Sequence, residues 1–317
     1  MSRHRKESAI VRPGESKVPF VESIVFGGLR VSIFFTKAAP HRRTLRLSDG
    51  VTIRPSRGPE EILAAGRLRY HIYVRTKPLG HPEHMDLENL RSSLLSRLEN
   101  ATEVDVPELR RRLEQVESWV RDECIIDDYD LAPQTTHFMA FSGSRDLECI
   151  GHVRTIDKDN PMARDVPEYA AEVIARHRHF REISKLMIHP DYRGKRSGIL
   201  AGLFRFVFHH AKEVDHIYVS CLPELRGLYE KIMMLEHGPR FKHAEFGTEY
   251  LIMRGSIHAA LRGEWQDKVR YPKLSAYWLR ALMLPIPATP IENLYLLLGK
   301  GVLVLSFLFG RYFGIRF

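Results

Sequence analysis

Residues Arg181–Gly198 read REISKLMIHPDYRGKRSG, a stretch with two different halves. Within the first half, Ile183–His189 has the apolar character of a buried strand. Pro190 ends that strand, and a basic loop (His189–Gly198) leads into the apolar run Gly198–Lys212, which predicts a helix. A loop entering a helix N-terminus points unpaired N–H groups at an anion, and cationic side chains strengthen such a site. The stretch therefore predicts a strand, an anion-binding loop and a helix in succession.

Short strand and helix patterns continue on both sides of this stretch. Strand-length apolar runs occur at His137–Phe141, Cys149–Ile156, His216–Cys221 and Glu249–Met253. Helical spacing occurs at Glu60–Tyr73, Glu224–Leu235 and, in a charged amphipathic form, Leu87–Leu98 and Pro107–Val120. This order predicts an α/β (α+β) fold with a mixed central sheet flanked by helices. We expect the core domain to span residues 60–256, with a helical insertion at 87–120.

Both ends of the chain differ from this core. Residues 1–59 form a basic, proline-rich N-terminal extension, in which Val18–Phe35 is apolar but interrupted, as in an interfacial or docking segment. Residues 257–317 end in the largely apolar run Leu294–Phe317, preceded by aromatic and basic residues that suit a lipid headgroup region. We therefore expect a C-terminal membrane-associating extension that lies in the membrane plane or enters the membrane as a hairpin. The alternatives are a spanning helix and a helix packed on the domain or on a second copy.

Composition limits the partners and the compartment. Of the 317 residues 44% are hydrophobic and 27% charged, the net charge is +9, and the pI is near 9.5. Such a charge attracts an anionic membrane surface or an acidic carrier protein, while the lack of any nucleic-acid-binding motif argues against nucleic acid. Three widely spaced cysteines indicate a reducing, cytoplasmic compartment. No metal site is expected, because His81, His84 and Asp86 lie in a proline-interrupted loop.

The basic loop His189–Gly198, called the donor loop below, has a counterpart in a known family. Ile188–Gly198 (IHPDYRGKRSG) resembles the donor-binding motif of GNAT acyltransferases, Val-x-Pro-x-x-Arg-Gly-x-Gly-x-Gly/Ala followed by a helix. The resemblance implies a GNAT fold in which this region binds the phosphopantetheine arm of an acyl thioester. The implied donor-binding residues are Lys185, Leu186, Met187, Ile188, Arg193, Gly194, Lys195, Arg196, Ser197 and Gly198. Arg196 replaces the usual middle glycine and would crowd a pyrophosphate, which favours the single phosphate of an acyl carrier protein over coenzyme A.

Four further elements narrow the resemblance. They are, in chain order, Arg69 with Tyr73, Asp127 with Asp130, Gly151 with Arg154, and Glu182 with Ser184 and Lys185. Over about residues 60–253 they are similar to elements of acyl-homoserine-lactone synthases and N-acyl amino acid synthases. The likeness implies transfer of a long-chain acyl group from acyl carrier protein or acyl-CoA to the amine of an amino acid or another small amine. The implied acceptor-binding residues are Arg69, Tyr73, Asp127, Asp130 and Arg154, while Lys185 replaces the family's usual arginine.

Two side chains have the chemistry that acyl transfer needs. Attack on a thioester requires a neutral amine, and Glu182 is the leading candidate for the base that accepts the proton. Its alternative role is an ion pair with Arg154 or Lys185 that only holds the strands together. Tyr229 lies in Leu228–Ile232, which resembles a GNAT helix whose tyrosine protonates the departing thiolate, although a core tyrosine would look the same. No activated nucleophile is apparent, so we expect direct transfer, with the acyl-phosphopantetheine thioester as co-substrate and no tightly bound cofactor.

Two other functions fit the same residues. An acetyl-CoA-dependent GNAT N-acetyltransferase would use the same loop for a shorter donor. A catalytically degenerate GNAT module that acts as a membrane scaffold would account for Arg196 and for the long extensions. Thiol release from acyl donors of different length and carrier distinguishes the acetyltransferase from the long-chain acyltransferase. A Glu182→Gln variant that leaves cellular lipid profiles unchanged would indicate the scaffold.

Overall fold

The computed structural model describes residues 20–26, 29–35, 44–47, 49–77, 81–143, 148–157, 162–177, 179–193, 198–211, 213–232, 234–243 and 247–261. The chain divides into two compact units. One unit contains a hairpin of β1 (Phe20–Phe26) and β2 (Leu29–Phe35), which pair in antiparallel register. The described residues from 44 to 261 belong to the other unit. The interrupted apolar segment Val18–Phe35 therefore contains a β-hairpin.

Within the described residues, the larger unit is built on a nine-stranded sheet. Its strands are β3 (Leu45–Arg46), β4 (Thr52–Pro55), β5 (Thr135–Ser142), β6 (Glu148–Asp157), β7 (Phe180–Ile188), β8 (His216–Cys221), β9 (Met234–Glu236), β10 (Phe241–Lys242) and β11 (Glu249–Gly255). Its helices are α1 (Pro59–Tyr70), α2 (Leu87–Glu99), α3 (Val106–Asp122), α4 (Met162–Asp165), α5 (Pro167–Arg176), α6 (Ile199–Ala211), α7 (Arg226–Glu230) and α8 (Ile257–Leu261).

The sheet is mixed. Its strand order is β10-β11-β8-β7-β6-β5-β4-β3, with β9 also paired to β11. Strands β7 and β8 run parallel, with α6 between them in the chain, and the other described pairs are antiparallel. The mixed α/β architecture with flanking helices, predicted from the sequence, is confirmed.

Helices pack on both faces of the sheet because its strands alternate their apolar side chains. On β5, Phe138 and Ala140 join the core beneath α6, whereas Met139 and Phe141 join the core beneath α1–α3. Helix α6 is apolar around most of its surface because it crosses one face of the sheet between two parallel strands. The strands β5–β7 are therefore packed between the two cores, and β6 and β7 contribute residues to the candidate site.

The inserted helical hairpin is present as α2 and α3. Helix α2 begins after Asp86, whose carboxylate accepts a hydrogen bond from the Asn89 N–H at 3.0 Å. On α3, Trp119 Nε1 donates to the Ile126 carbonyl at 2.8 Å, and Gln115 Nε2 donates to the same oxygen at 3.4 Å. These bonds attach the insertion to Ile126, which directly precedes Asp127, a residue of the candidate site described below.

Three strands, β9, β3 and β4, lie where the sequence did not predict a strand. The helix predicted over Glu224–Leu235 is wrong beyond α7, because the chain turns into β9 and pairs with β11. Met234 is fully buried there, so burial at the sheet edge overrides the local helical pattern. Strands β3 and β4 lie inside the expected N-terminal extension, yet β4 pairs with β5 and buries Ile53 completely.

None of the helices among the described residues is long and apolar enough to cross a membrane. The apolar run Leu294–Phe317 lies outside these residues, as do Gly194, Lys195, Arg196 and Ser197 of the donor loop.

Gly66 of α1 packs directly on the segment after α3. A Cβ there would lie 2.5 Å from Cys124 Sγ, 2.7 Å from Ile126 Cδ1 and 3.1 Å from the Ile125 oxygen. We expect Gly66→Ala to lower the free energy of unfolding by about 1–3 kcal/mol through overpacking, measured by urea denaturation. The control is Gly227→Ala, a helical glycine with nothing within 4 Å of its Cβ position. Equal losses in the two variants would contradict the close-contact explanation.

Candidate active site

A cleft opens where β7 and β8 diverge. β7 pairs with β8 only over its first four residues, Phe180–Ile183. Beyond them, two residues of β7 stand opposite one residue of β6, and Lys185 has a φ of +54°. Such a bulge bends its strand, and the cleft lies between Ser184–Leu186 of β7 and Val219–Cys221 of β8.

The predicted donor-binding residues that the structure describes divide between this cleft and its surroundings. Lys185 and Leu186 line the cleft, whereas Met187 is buried in the core on the α1 side of the sheet. The Ile188 carbonyl accepts a hydrogen bond from Arg193 Nε at 2.8 Å, which ties the start of the donor loop to the end of β7. Gly198 has a φ of +70° immediately before α6, a conformation that glycine adopts without strain.

Four charged side chains from three distant parts of the chain form one cluster beside the cleft. Arg69 Nη1 and Nη2 donate to the two oxygens of Asp130 at 2.7 and 3.0 Å. Arg154 Nη1 donates to Asp130 at 2.6 Å and to Asp127 at 2.5 Å. The two guanidinium groups hold the pKa of Asp130 well below its usual range, against the effect of burial. Two arginines and two aspartates therefore meet in one cluster, and their formal charges balance.

The structure gives the two aspartates different surroundings. The side chain of Asp130 has no exposed surface, whereas that of Asp127 is 11% exposed and lines the cleft. Lys185 Nζ lies 3.9 Å from the Asp127 carboxylate. Arg154 also lines the cleft, and its buried Nη2 has no hydrogen-bond partner within the described residues. Of the two aspartates, Asp127 is therefore the one that a molecule in the cleft can reach.

Glu182 is a buried carboxyl group in the wall of the cleft. Its side chain is 2% exposed, and it accepts a hydrogen bond from the Met162 N–H at 3.1 Å. Burial raises the pKa of Glu182 to about 7, even though Arg154 and Lys185 act in the opposite direction. A carboxyl with this pKa is partly ionised at neutral pH and can both take up and release a proton.

Tyr229 of α7 lines the cleft. Its ring is buried and nearly perpendicular to the ring of Phe204, with 6.3 Å between the centroids. Burial, with a smaller contribution from Cys221 and Glu83, raises the pKa of Tyr229 above its usual range. The phenol is therefore protonated at neutral pH and is available as a proton donor.

The cleft also contains groups that the sequence did not indicate. Glu83 lines it, accepts a hydrogen bond from Tyr250 at 2.7 Å and forms an ion pair with Lys77. Beside these groups, the cleft is also lined by Tyr73, which the sequence did indicate as an acceptor-site residue. Lys77 Nζ lies 4.9 Å from the centre of the Tyr73 ring. Tyr129 joins the wall beside Arg154. No local pattern could have revealed Glu83, because Tyr250 is 167 residues away in the sequence.

Comparison with known proteins supports an acyltransferase. Residues 109–255 match the family model for the N-acyl amino acid synthase FeeM, which is 147 of the 317 residues. No curated protein matches the sequence. The match confirms the resemblance to N-acyl amino acid synthases that was inferred from the motifs.

Solved structures with similar folds include three synthases. FeeM, an N-acyl amino acid synthase from uncultured soil microbes, is 15% identical, with 69% of this chain and 95% of that chain covered and a TM-score of 0.43. The acyl-homoserine-lactone synthase LasI is 12% identical, with coverages of 65% and 90% and a TM-score of 0.39. The CoA-dependent acyl-homoserine lactone synthase MesI is 15% identical, with coverages of 49% and 86% and a TM-score of 0.33.

Proposed function

We propose that the chain, whose residues 109–255 match the family model of an N-acyl amino acid synthase, moves a long-chain acyl group from a phosphopantetheine thioester to the amine of an amino acid or another small amine. The observation that carries the proposal is Glu182, a buried carboxyl with a pKa of about 7 in the cleft between the diverging strands. Asp127, exposed to the same cleft, supplies an anionic contact for the ammonium form of the acceptor. The cleft thus offers one carboxylate for binding the amine and another for deprotonating it.

The proposed reaction is a direct acyl transfer. The ammonium form of the acceptor first loses one proton to bulk water. The nitrogen of the neutral amine then attacks the thioester carbonyl carbon and gives a second proton to Glu182. The C–N bond forms and the C–S bond breaks. The departing thiolate takes a proton from the Tyr229 hydroxyl, and water then returns a proton to the Tyr229 phenolate. Backbone N–H groups of Lys185–Ile188 polarise the carbonyl oxygen. The proton on Glu182 passes to water, so the enzyme returns to its starting state without an acyl-enzyme.

An acyl carrier protein is the proposed donor. The net charge of +9 would attract an acidic carrier, and Arg196 in the donor loop suits a single phosphate better than a pyrophosphate. The purified protein, given an amino acid and either acetyl-CoA, long-chain acyl-CoA or long-chain acyl carrier protein, should release thiol fastest from the last. Mass spectrometry of the N-acyl product identifies donor and acceptor together. Thiol release from acetyl-CoA alone would instead establish an N-acetyltransferase.

Tyr229→Phe should lower kcat by about 10–100-fold, because the thiolate would leave without its proton donor. Steady-state thiol release measures this effect, and the loss should shrink with an aryl thioester, whose thiolate leaves unprotonated. Tyr169→Phe is the control, since that buried hydroxyl contacts His237 and does not line the cleft. An equal loss with both thioesters would assign Tyr229 a packing role instead.

We also propose that the protein is cytoplasmic and attached peripherally to an anionic membrane through Leu294–Phe317. The apolar composition of that run and the basic net charge support the attachment. Deletion of residues 294–317 should move the protein from the membrane pellet to the supernatant. Continued pelleting of the truncated protein would overturn this proposal.

A further inference from the structure

A second groove lies beside the cleft, against the inserted hairpin. It has a volume of about 550 Å³ and runs between α3 and the chain after it. Glu108, Arg111 and Arg112 of α3 form one wall, and Asp128 contributes to the opposite wall. The insertion therefore does more than extend the fold, because it builds a surface next to the reacting atoms.

The groove shares part of its wall with the cleft. Asp127, Tyr129 and Arg164 line both spaces. A molecule whose amine lies between Asp127 and Glu182 can therefore extend past Tyr129 and Arg164 into the groove. The junction carries charges of both signs, as the groove itself does.

The wall formed by α3 is fixed relative to the site. Trp119 and Gln115 both donate to the Ile126 carbonyl, one residue before Asp127. The guanidinium of Arg112 lies 5.1 Å from the centre of the Trp119 ring. Because the same residues support the groove and the cleft aspartate, a ligand in the groove has a defined position relative to the reacting amine.

The charges of the groove indicate which substrate it suits, the acceptor or the acyl chain of the donor. Arg111 bridges Glu108 at 2.8 Å and Asp128 at 3.0 Å, and all three side chains are about half exposed or more. An alkyl chain gains little by covering exposed charges, because their solvation is lost without compensation. A ligand with amide groups and a terminal carboxylate can instead pair with both signs. The groove thus suits the acceptor rather than the acyl chain.

The size of the groove sets the size of the acceptor. The open groove has a volume of about 550 Å³, which is within the range of clefts that hold drug-sized ligands, so it has room for more than a single amino acid. We propose that the groove is an extended acceptor subsite that selects a short peptide, with a dipeptide as the smallest, whose N-terminal amine is acylated. This inference rests on the proposed acyl transfer and specifies its acceptor.

Acylation of alanine, alanine amide and alanyl-alanine by the full-length protein tests the subsite. We expect kcat/KM for the dipeptide to exceed that for the other two by about tenfold or more, which corresponds to about 1.4 kcal/mol. The amide controls for the lower amine pKa of the dipeptide. Equal values for the dipeptide and the amide would overturn the subsite but leave the proposed function intact. No product from any acceptor would overturn the proposed function itself.

A pair of neighbouring arginines on α3 gives the matched variants. Arg111 lines the groove, whereas the exposed Arg110 does not. Arg111→Ala should lower kcat/KM for alanyl-alanine about tenfold more than for alanine, and Arg110→Ala should change neither value by more than about twofold. Thermal unfolding of both variants checks that each is folded. Parallel losses for both acceptors in Arg111→Ala would overturn the subsite.

Discussion

Replacement of Glu182 by glutamine should lower kcat by about 10²–10⁴-fold, because the reaction loses its general base. The same change should make the folded protein more stable at pH 8. Glutamine keeps an oxygen that can accept the Met162 N–H, so it removes the charge while preserving the shape of the side chain. The combined result, slower catalysis in a more stable protein, separates the two roles considered for this residue.

The direction of the stability change follows from the raised pKa. A carboxyl with a pKa of 4.5 in the unfolded chain and about 7 in the folded protein ionises more easily when unfolded. Its ionisation therefore costs no stability below pH 4.5, an increasing amount between pH 4.5 and 7, and the full amount above pH 7. The full cost is about 3 kcal/mol, and it disappears in the glutamine variant.

Two measurements check the Glu182 prediction. The wild-type kcat/KM should fall as the pH drops below about 7, and this limb should be absent from the residual activity of Glu182→Gln. Urea unfolding at pH 5 and pH 8 should show that the variant gains stability mainly at the higher pH. Glu168→Gln, at an exposed position of α5, is the control and should change neither. A loss of stability at pH 8 would assign Glu182 to an ion pair between strands.

The sequence predicted the order of elements better than the shape of the cleft. The strand, loop and helix around residues 181–211 have local signals, as do the hairpin of β5 and β6 and the inserted helices. The bulge that opens the cleft has none, because it places Lys185 at a positive φ that glycine adopts more readily. One consequence is visible in the core, where Ile183 packs beneath α6 before the bulge and Leu186 does so after it. The extra residue of the bulge has reversed which faces of the sheet the side chains of β7 point to after it.

Contacts between distant segments account for most of what the sequence could not predict. The motif elements indicated Arg69, Asp127, Asp130 and Arg154 as a set, but not that one aspartate is enclosed and the other reaches the cleft. Spacing cannot distinguish them, since they are three residues apart on one short segment. Their difference arises from Arg69, which approaches from α1 and binds both oxygens of Asp130.

Asp130→Asn should lower the free energy of unfolding by about 3–5 kcal/mol at pH 7, because it removes the carboxylate that binds buried Arg69 through both oxygens and also accepts from buried Arg154. Arg69 and Arg154 have almost no exposed surface, and an amide can neither neutralise them nor accept with both of its polar atoms. Such a loss is a large part of the stability of an ordinary domain, so a lowered unfolding midpoint in urea should be evident even if the variant folds.

The comparison with Asp127→Asn decides what the cluster is for. Asp127 reaches the cleft and, unlike Asp130, is not bound by both nitrogens of one guanidinium, so its variant should lose less stability but raise KM for the amine. Asp130→Asn should instead leave KM of the folded fraction nearly unchanged. If Asp130→Asn is stable and raises KM, then Asp130 contacts the acceptor. If Asp127→Asn loses as much stability as Asp130→Asn, the two carboxylates share one structural role. The expected split means that Asp130 holds α1, β6 and the Asp127 segment together, which leaves Asp127 as the carboxylate that meets the substrate.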